Sequence, residues 1–427
     1  MRKILYIILD GLGDLPIEEL GNKTPLESAF KPHLNLLAQK GKVGRVFPVS
    51  KEISPESDIA VISLLGYEIE RFYTGRGPLE CFAEGINLND GDLALRVNFA
   101  TKELNTEKIL DRRVGRNLTE EEAGELSKEI NSKVVLTDAT FEFKNTIGHR
   151  GVLVIRSLKT RLKAMITNTD PAYEREGVFG IAKEEFENLL LESKPLDGYE
   201  KDLGAIEAAR LINEFTVKST LLLNESLTNK KRINEGKLPA NVILSRDAGD
   251  SLPKFPKIKD IFGLDLGSFV QMPVERGIAL LCGMEIIEVP SSTGHLDIDY
   301  SVWAKITLEK IKNFDGLYIH IKGPDEPAHD GDFLRKKEII ERIDRFFFGN
   351  LIPKIDLDKV IIAVTADHST PCKLKAHSAD PCPLLICGGK VFSDGFEDFS
   401  ERTSSSGSLG EILGKQLFPL LVKLAKE

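Results

Sequence analysis

At 427 residues the chain is long enough for a large core and for two domains. Its apolar share of 41% and charged share of 29% are those of an ordinary soluble globular protein, and a formal net charge of −9 lacks the basic excess of a nucleic-acid binder. No stretch approaches the ~20 apolar residues of a membrane span. The cysteines Cys81, Cys282, Cys372, Cys382 and Cys387 are odd in number and form no CxxC. That argues against a disulfide framework or zinc knuckle and for a reducing cytoplasm, with Cys372 and Cys382 read as small packing residues.

Met1-Arg2-Lys3 followed by ILYIILDG has the look of a short signal peptide, but the apolar run ends at Asp10 and no small-residue cleavage site follows. Lys3–Leu9 reads instead as a strand buried on both faces, as in a parallel sheet. A helix over Pro32–Lys40, a strand near Val43–Val49 and a helical apolar segment Ile59–Leu65 come next. From 80 to 172 the pattern changes. Leu93–Thr101, Thr106–Asp111, Ala139–Asn145 and Arg150–Arg156 read as antiparallel strands, and Thr119 caps a helix that opens with three glutamates. This predicts an inserted α+β cap over 80–172, within an α/β body formed by 1–79 and 173–427. A long helix, Asp202–Glu225, leads back. Short apolar runs at Asn241–Ser245, Gly277–Leu281, Gly316–Ile321, Val360–Thr365 and Pro383–Ile386 read as further strands of the body, with a helix over Asp332–Phe348.

Several strand ends carry metal-ligating residue types. Asp10 closes the first strand, Asp325 and His329 follow Gly316–Ile321, Asp367 and His368 follow Val360–Thr365, and His377 lies in the next loop. Singly, an aspartate after a strand is usually a turn residue, and a lone histidine is usually hydrogen-bonded in core or surface. Concentration changes that weighting. Of seven histidines, three fall in one C-terminal region beside aspartates. A carboxylate–imidazole mixture suits Mn²⁺ or Zn²⁺ better than Ca²⁺, and with Asp10 the set could hold two ions. Ser57, just before an apolar helix, is the candidate nucleophile. Its bland reading is an N-cap serine, and Ser54 and Ser63 are rivals.

ILDGLGD, PESDIAVISLLGY, GRGPLE, IHIKGPDEPAHDG and TADHST with a later histidine resemble the archaeal-type cofactor-independent phosphoglycerate mutases of the alkaline phosphatase superfamily, from Asp10 to His377. The resemblance implies an alkaline-phosphatase-like core with a mostly parallel sheet, helices on both faces and an inserted cap. It also implies interconversion of 2-phosphoglycerate and 3-phosphoglycerate through a phosphoserine, with no need for 2,3-bisphosphoglycerate. Asp325, His329 and His377 would bind one divalent ion, and Asp10, Ser57, Asp367 and His368 the other. If the cap excludes water the glycerate is rephosphorylated; if not, the enzyme is a phosphatase.

Candidate partners for the substrate's anionic groups are Arg113, Arg116, His149, Arg150 and Arg246, arginine being suited to bidentate binding. Asp170 and Lys322 are candidates for proton transfer or phosphate binding. Two features depart from the family pattern: Glu56 directly before Ser57, and His295 within GHLDIDY (294–300). The partner is thus a small molecule, not nucleic acid or membrane, and the oligomeric state is left open. Alternatives are a metal-dependent phosphatase or phosphonate hydrolase, a phosphopentomutase-like enzyme, and a non-catalytic binding protein with a decayed site. The complete ligand set argues against the last.

Overall fold

The computed structural model describes residues 1–183, 185–290 and 300–427, so the expectation for His295 lies outside the described residues. The chain divides into two compact units, Met1–Phe72 with Phe255–Glu427, and Tyr73–Lys254.

The first unit is built on an eight-stranded sheet. Its strand order is Glu285–Ile286, Leu266–Phe269, Gly316–Ile321, Lys3–Leu9, Val360–Thr365, Cys382–Cys387, Lys42–Phe47 and Glu411–Leu413. Only Cys382–Cys387 runs against its neighbours. The three central strands Gly316–Ile321, Lys3–Leu9 and Val360–Thr365 are parallel and almost wholly buried, which explains their continuous apolar sequences. Helices Ser57–Leu64, Pro273–Leu281 and Gly414–Lys426 form one packed group, and Pro32–Lys40 and Ser301–Lys310 join Ile343–Phe348 in another. The architecture is mixed α/β with a mostly parallel sheet, as the alternation of elements predicts.

The second unit reaches well beyond residue 172, where the sequence places its end. Strand Val242–Gly249 is real, but it pairs antiparallel with Leu93–Lys102 rather than joining the parallel sheet. Helix Leu203–Glu225, capped by Asp202, buries Ala208, Leu211, Ile212 and Phe215 in the same core as Leu95, Val97, Phe143 and Leu153. Both elements therefore belong to this unit. The other side of Leu93–Lys102 pairs with Arg150–Ser157, which pairs with Ala139–Asn145. The expected strand over Thr106–Asp111 shrinks to Ile109–Asp111.

One further expectation is overturned. Gly277–Leu281 is the last part of helix Pro273–Leu281, and the strand lies earlier, at Leu266–Phe269. A short apolar run is compatible with either state, and Pro273 at the first helical position was the decisive local signal.

Candidate active site

Three parallel strands deliver their carboxyl ends to one place in the first unit. Asp10 follows Lys3–Leu9, Asp367 and His368 follow Val360–Thr365, and helix Asp325–Asp330, which carries His329, follows Gly316–Ile321. The backbone at Gly11 has φ +64° and passes so near Asp325 that a Cβ would stand 2.8 Å from that residue's Cα and side chain. Glycine is needed there for both reasons.

Around this point His368 Nε2 lies 3.2 Å from Asp10 Oδ1 and 3.3 Å from Asp367 Oδ2. His329 Nε2 is 3.4 Å from Asp325 Oδ2, and His377 Nε2 is 3.7 Å from Asp325 Oδ1. The Nε2 atoms of His329 and His377 are 3.3 Å apart, and the rings of His368 and His377 stack at 3.6 Å between centroids. All six sequence-predicted carboxylates and imidazoles thus converge.

Ser57 is the first residue of helix Ser57–Leu64, with Glu56 at the cap position. Its Oγ lies 3.3 Å from His368 Nε2, so the hydroxyl points into the cluster. The N-cap reading is thereby excluded. Ser54 is exposed and Ser63 is buried in the helix, away from the cluster's contacts. Glu56 Oε1 stands 3.8 Å from His377 Nδ1, so this departure from the family pattern borders the site.

The electrostatics ask for positive charge. Burial alone would raise the Asp10 carboxyl, but Lys322 and then His368 hold it well below the usual carboxylate range. The contact with Asp325 lifts His329 to about 9, and His368 reaches about 9 because Asp367 and its neighbours outweigh burial. Among the described residues, Asp10 Oδ1, Asp367 Oδ2 and His320 Nε2 are buried and make no hydrogen bond. Such atoms are costly unless something binds them. Hard oxygen and imidazole donors that draw protons and leave buried lone pairs fit divalent cations.

His320 was not anticipated from sequence. It groups with Asp10 and Asp367 as a second set of potential ligand atoms, beside Asp325, His368 and His377. Its position inside a strand, rather than after one, hid it. Lys322 is close to the site, but its Nζ lies 2.6 Å from Asp10 and 2.7 Å from Glu275. These two carboxylates raise its pKa against burial.

The remaining candidates lie in the second unit. Arg246 and Arg112 both grip Asp170, whose side chain is fully buried; Arg112 does so in bidentate fashion at 2.8 Å. Burial tends to raise Asp170, but the two guanidiniums hold it below its ordinary value. Its carboxylate thus braces Arg112 and Arg246.

His149 is pushed down to about 3 by burial and then by Arg150, Arg113, Arg246 and Arg96. Arg150 falls to about 10 through burial and the nearby Arg96, Arg76 and Arg246. Arg113 is lowered by burial and by Arg116. The turn carrying these two places Val114, Gly115 and Arg116 at φ +51°, +62° and +56°, and a β-branched residue held there is strained.

Arg96 Nε and Arg246 Nε are buried without hydrogen-bond partners among the described residues. Each nevertheless faces a carboxylate, Glu80 at 3.4 Å from Arg96 and Asp247 at 3.6 Å from Arg246. Arg76 and Arg96 escaped the sequence reading because they are apart in the chain and sit in ordinary-looking helix and strand segments, and Arg112 because it stands beside Arg113 in a turn.

A family model described as 2,3-bisphosphoglycerate-independent phosphoglycerate mutase matches residues 38–229. A protein of that name from Aeropyrum pernix is 43% identical over 418 residues, 96% of each chain. One from Thermococcus kodakarensis is 39% identical, over 99% of this chain and 97% of its own length. A solved cofactor-independent phosphoglycerate mutase from Thermoplasma acidophilum superposes over 100% of both chains with a TM-score of 0.66 at 31% identity. With identity at this level over nearly its whole length, the chain belongs to the 2,3-bisphosphoglycerate-independent phosphoglycerate mutase family.

Proposed function

We propose that the chain interconverts 2-phosphoglycerate and 3-phosphoglycerate, with Ser57 accepting the phosphoryl group. Two divalent ions, Mn²⁺ or Zn²⁺, would be held by Asp325, His329 and His377 and by Asp10, Ser57, Asp367 and His368. The observation that carries the reading is the Ser57 hydroxyl, which stands at a helix N-terminus 3.3 Å from His368 within the acidic and imidazole cluster. When bound, the ions supply positive charge to the phosphate oxygens and favour ionisation of the serine.

The chain's own groups do the rest. Amides at the start of helix Ser57–Leu64 favour an anion beside Ser57. Lys322, fixed by Glu275, keeps Asp10 ionised. In the first half-reaction the bond from phosphorus to the substrate oxygen breaks as the bond to Ser57 Oγ forms. In the second, the other hydroxyl of glycerate takes the phosphoryl group back. The guanidiniums of the second unit suit the carboxylate and phosphate by their forked geometry. Loss of glycerate between the halves gives hydrolysis instead, so the ratio of isomer to free phosphate measures its retention.

The described cysteines are free and buried, and no helix among the described residues is long and apolar enough to cross a membrane. These features support a cytoplasmic enzyme acting on a small molecule. No observation favours a phosphonate hydrolase or a pentose-phosphate mutase. Phosphorus NMR of Mn²⁺-loaded protein with 3-phosphoglycerate should show 2-phosphoglycerate appearing. Inorganic phosphate without any isomer would overturn the reading.

A further inference from the structure

The histidines of the first unit's cluster share one arrangement. His329, His368 and His377 each turn Nδ1 to an outer oxygen, Lys375 O, Thr370 Oγ1 and Pro55 O respectively, all at 2.9 Å. Each thereby presents Nε2 to the carboxylates. Ligating histidines are characteristically oriented in this way by a partner on the other ring nitrogen. His320 repeats the pattern. Its Nδ1 lies 3.4 Å from the Tyr318 hydroxyl, and its Nε2 is 3.5 Å from Asp367 Oδ2.

The sheet fixes this orientation. His320 pairs with Ile8 on the first strand, two residues before Asp10, and the period-two alternation of strands puts Ile8 and Asp10 on the same side. His320 is 1% exposed, so water does not solvate it freely. An imidazole lone pair facing carboxylate oxygens is repelled unless a cation stands between them. The alternative, an Nε2–H donated to Asp367, fails on geometry, since His320 Nε2 and Asp367 Oδ2 both remain without hydrogen-bond partners among the described residues.

We propose that His320 is an additional ligand of the ion held by Asp10 and Asp367, giving that ion one more protein nitrogen than the sequence motifs alone provide. The inference rests on the two-ion reading given under Proposed function.

The test is metal binding rather than turnover. Wild type, His320→Ala, His320→Asn and Asp367→Asn are stripped and titrated with Mn²⁺, and their Co²⁺ forms are compared by visible absorption. His320→Asn keeps a hydrogen-bonding group near Tyr318, and Trp303 emission checks that each variant is folded. We expect both His320 variants to bind one of two equivalents at least ~10-fold more weakly. Their Co²⁺ bands should also shift and intensify as coordination number falls. Wild-type affinity and an unchanged Co²⁺ spectrum in His320→Asn, with loss of an equivalent in Asp367→Asn, would overturn the role of His320 while leaving two ions in place. Fewer than two tightly bound equivalents in the wild type would overturn the two-ion reading itself.

Discussion

Lys336→Met should destabilise the first unit severely. Lys336 and Asp14 form an ion pair at 2.9 Å with both side chains fully buried. The ammonium also donates to Gly13 O at 3.1 Å and Thr370 O at 2.9 Å, which uses all three of its protons. It therefore ties the loop after Asp10 to the loop after His368. Removing one partner of a buried pair costs about 3–5 kcal/mol, because the other charge is left without compensation. Asp14 would keep hydrogen bonds from the amides of Leu15 and Cys372, and Gly13 O would keep the Thr370 amide, which favours the lower half of that range.

We predict a loss of about 3–4 kcal/mol, a large part of the 5–15 kcal/mol typical of a folded domain. The assay is urea unfolding followed by emission of Trp303, which is the only tryptophan, is fully buried and belongs to the first unit. The double variant Asp14→Asn with Lys336→Met removes the stranded charge and should be less destabilised than the sum of the single variants, by about 2 kcal/mol. A loss below about 1 kcal/mol for Lys336→Met, or strict additivity, would refute the reasoning.

Other outcomes follow from the same contacts. Glu80 lies 2.7 Å from Arg76 and 3.4 Å from Arg96, and although burial raises it, these arginines bring it from 4.5 down to about 2. Its contribution, about 3 kcal/mol, is present above pH 4.5 and lost as pH falls toward 2. Glu80→Gln should thus weaken the second unit at neutral pH and flatten its acid-unfolding limb; an unchanged limb in urea melts across that range would refute this. Stripping metals by chelation should lower the Trp303-reported unfolding free energy by about 2.7 kcal/mol for each ion lost, relative to protein held at a hundredfold excess of Mn²⁺ over its dissociation constant. Equal midpoints would remove the case for resident ions. Arg150→Ala should raise KM for phosphoglycerate about tenfold or more while leaving unfolding of the second unit nearly unchanged, because it relieves repulsion within the guanidinium cluster. An unaltered KM would exclude Arg150 from substrate binding.

How far the sequence speaks for itself depends on the kind of signal. Lys3–Leu9, Gly316–Ile321 and Val360–Thr365 are continuous apolar runs ended by chemistry-bearing residues, and these appear in the structure with the same bounds. Thr119 and Asp202 announce their helices by their capping side chains. By contrast, Val242–Gly249 carries no mark of which sheet it joins, since pairing with Leu93–Lys102 is decided across more than a hundred residues of chain. The candidate ligand set was readable because most of it follows strand ends. His320 lies within a strand, where an alternating polar residue passes for packing. The cationic cluster of the second unit is assembled from arginines on separate elements, so only Arg113, Arg116, Arg150 and Arg246 stood out beside polar turn residues.

The most direct test of the account is rapid acid quench of the Mn²⁺-loaded enzyme during turnover of 3-phosphoglycerate, with mass spectrometry of the peptide that contains Ser57. The account predicts one added phosphoryl group on Ser57 in the wild type. In Ser57→Ala it predicts no modified peptide and no isomerisation, with metal content largely preserved through the remaining carboxylate and imidazole ligands. A Ser57→Ala enzyme that still converts 3-phosphoglycerate to 2-phosphoglycerate at the wild-type rate would contradict it.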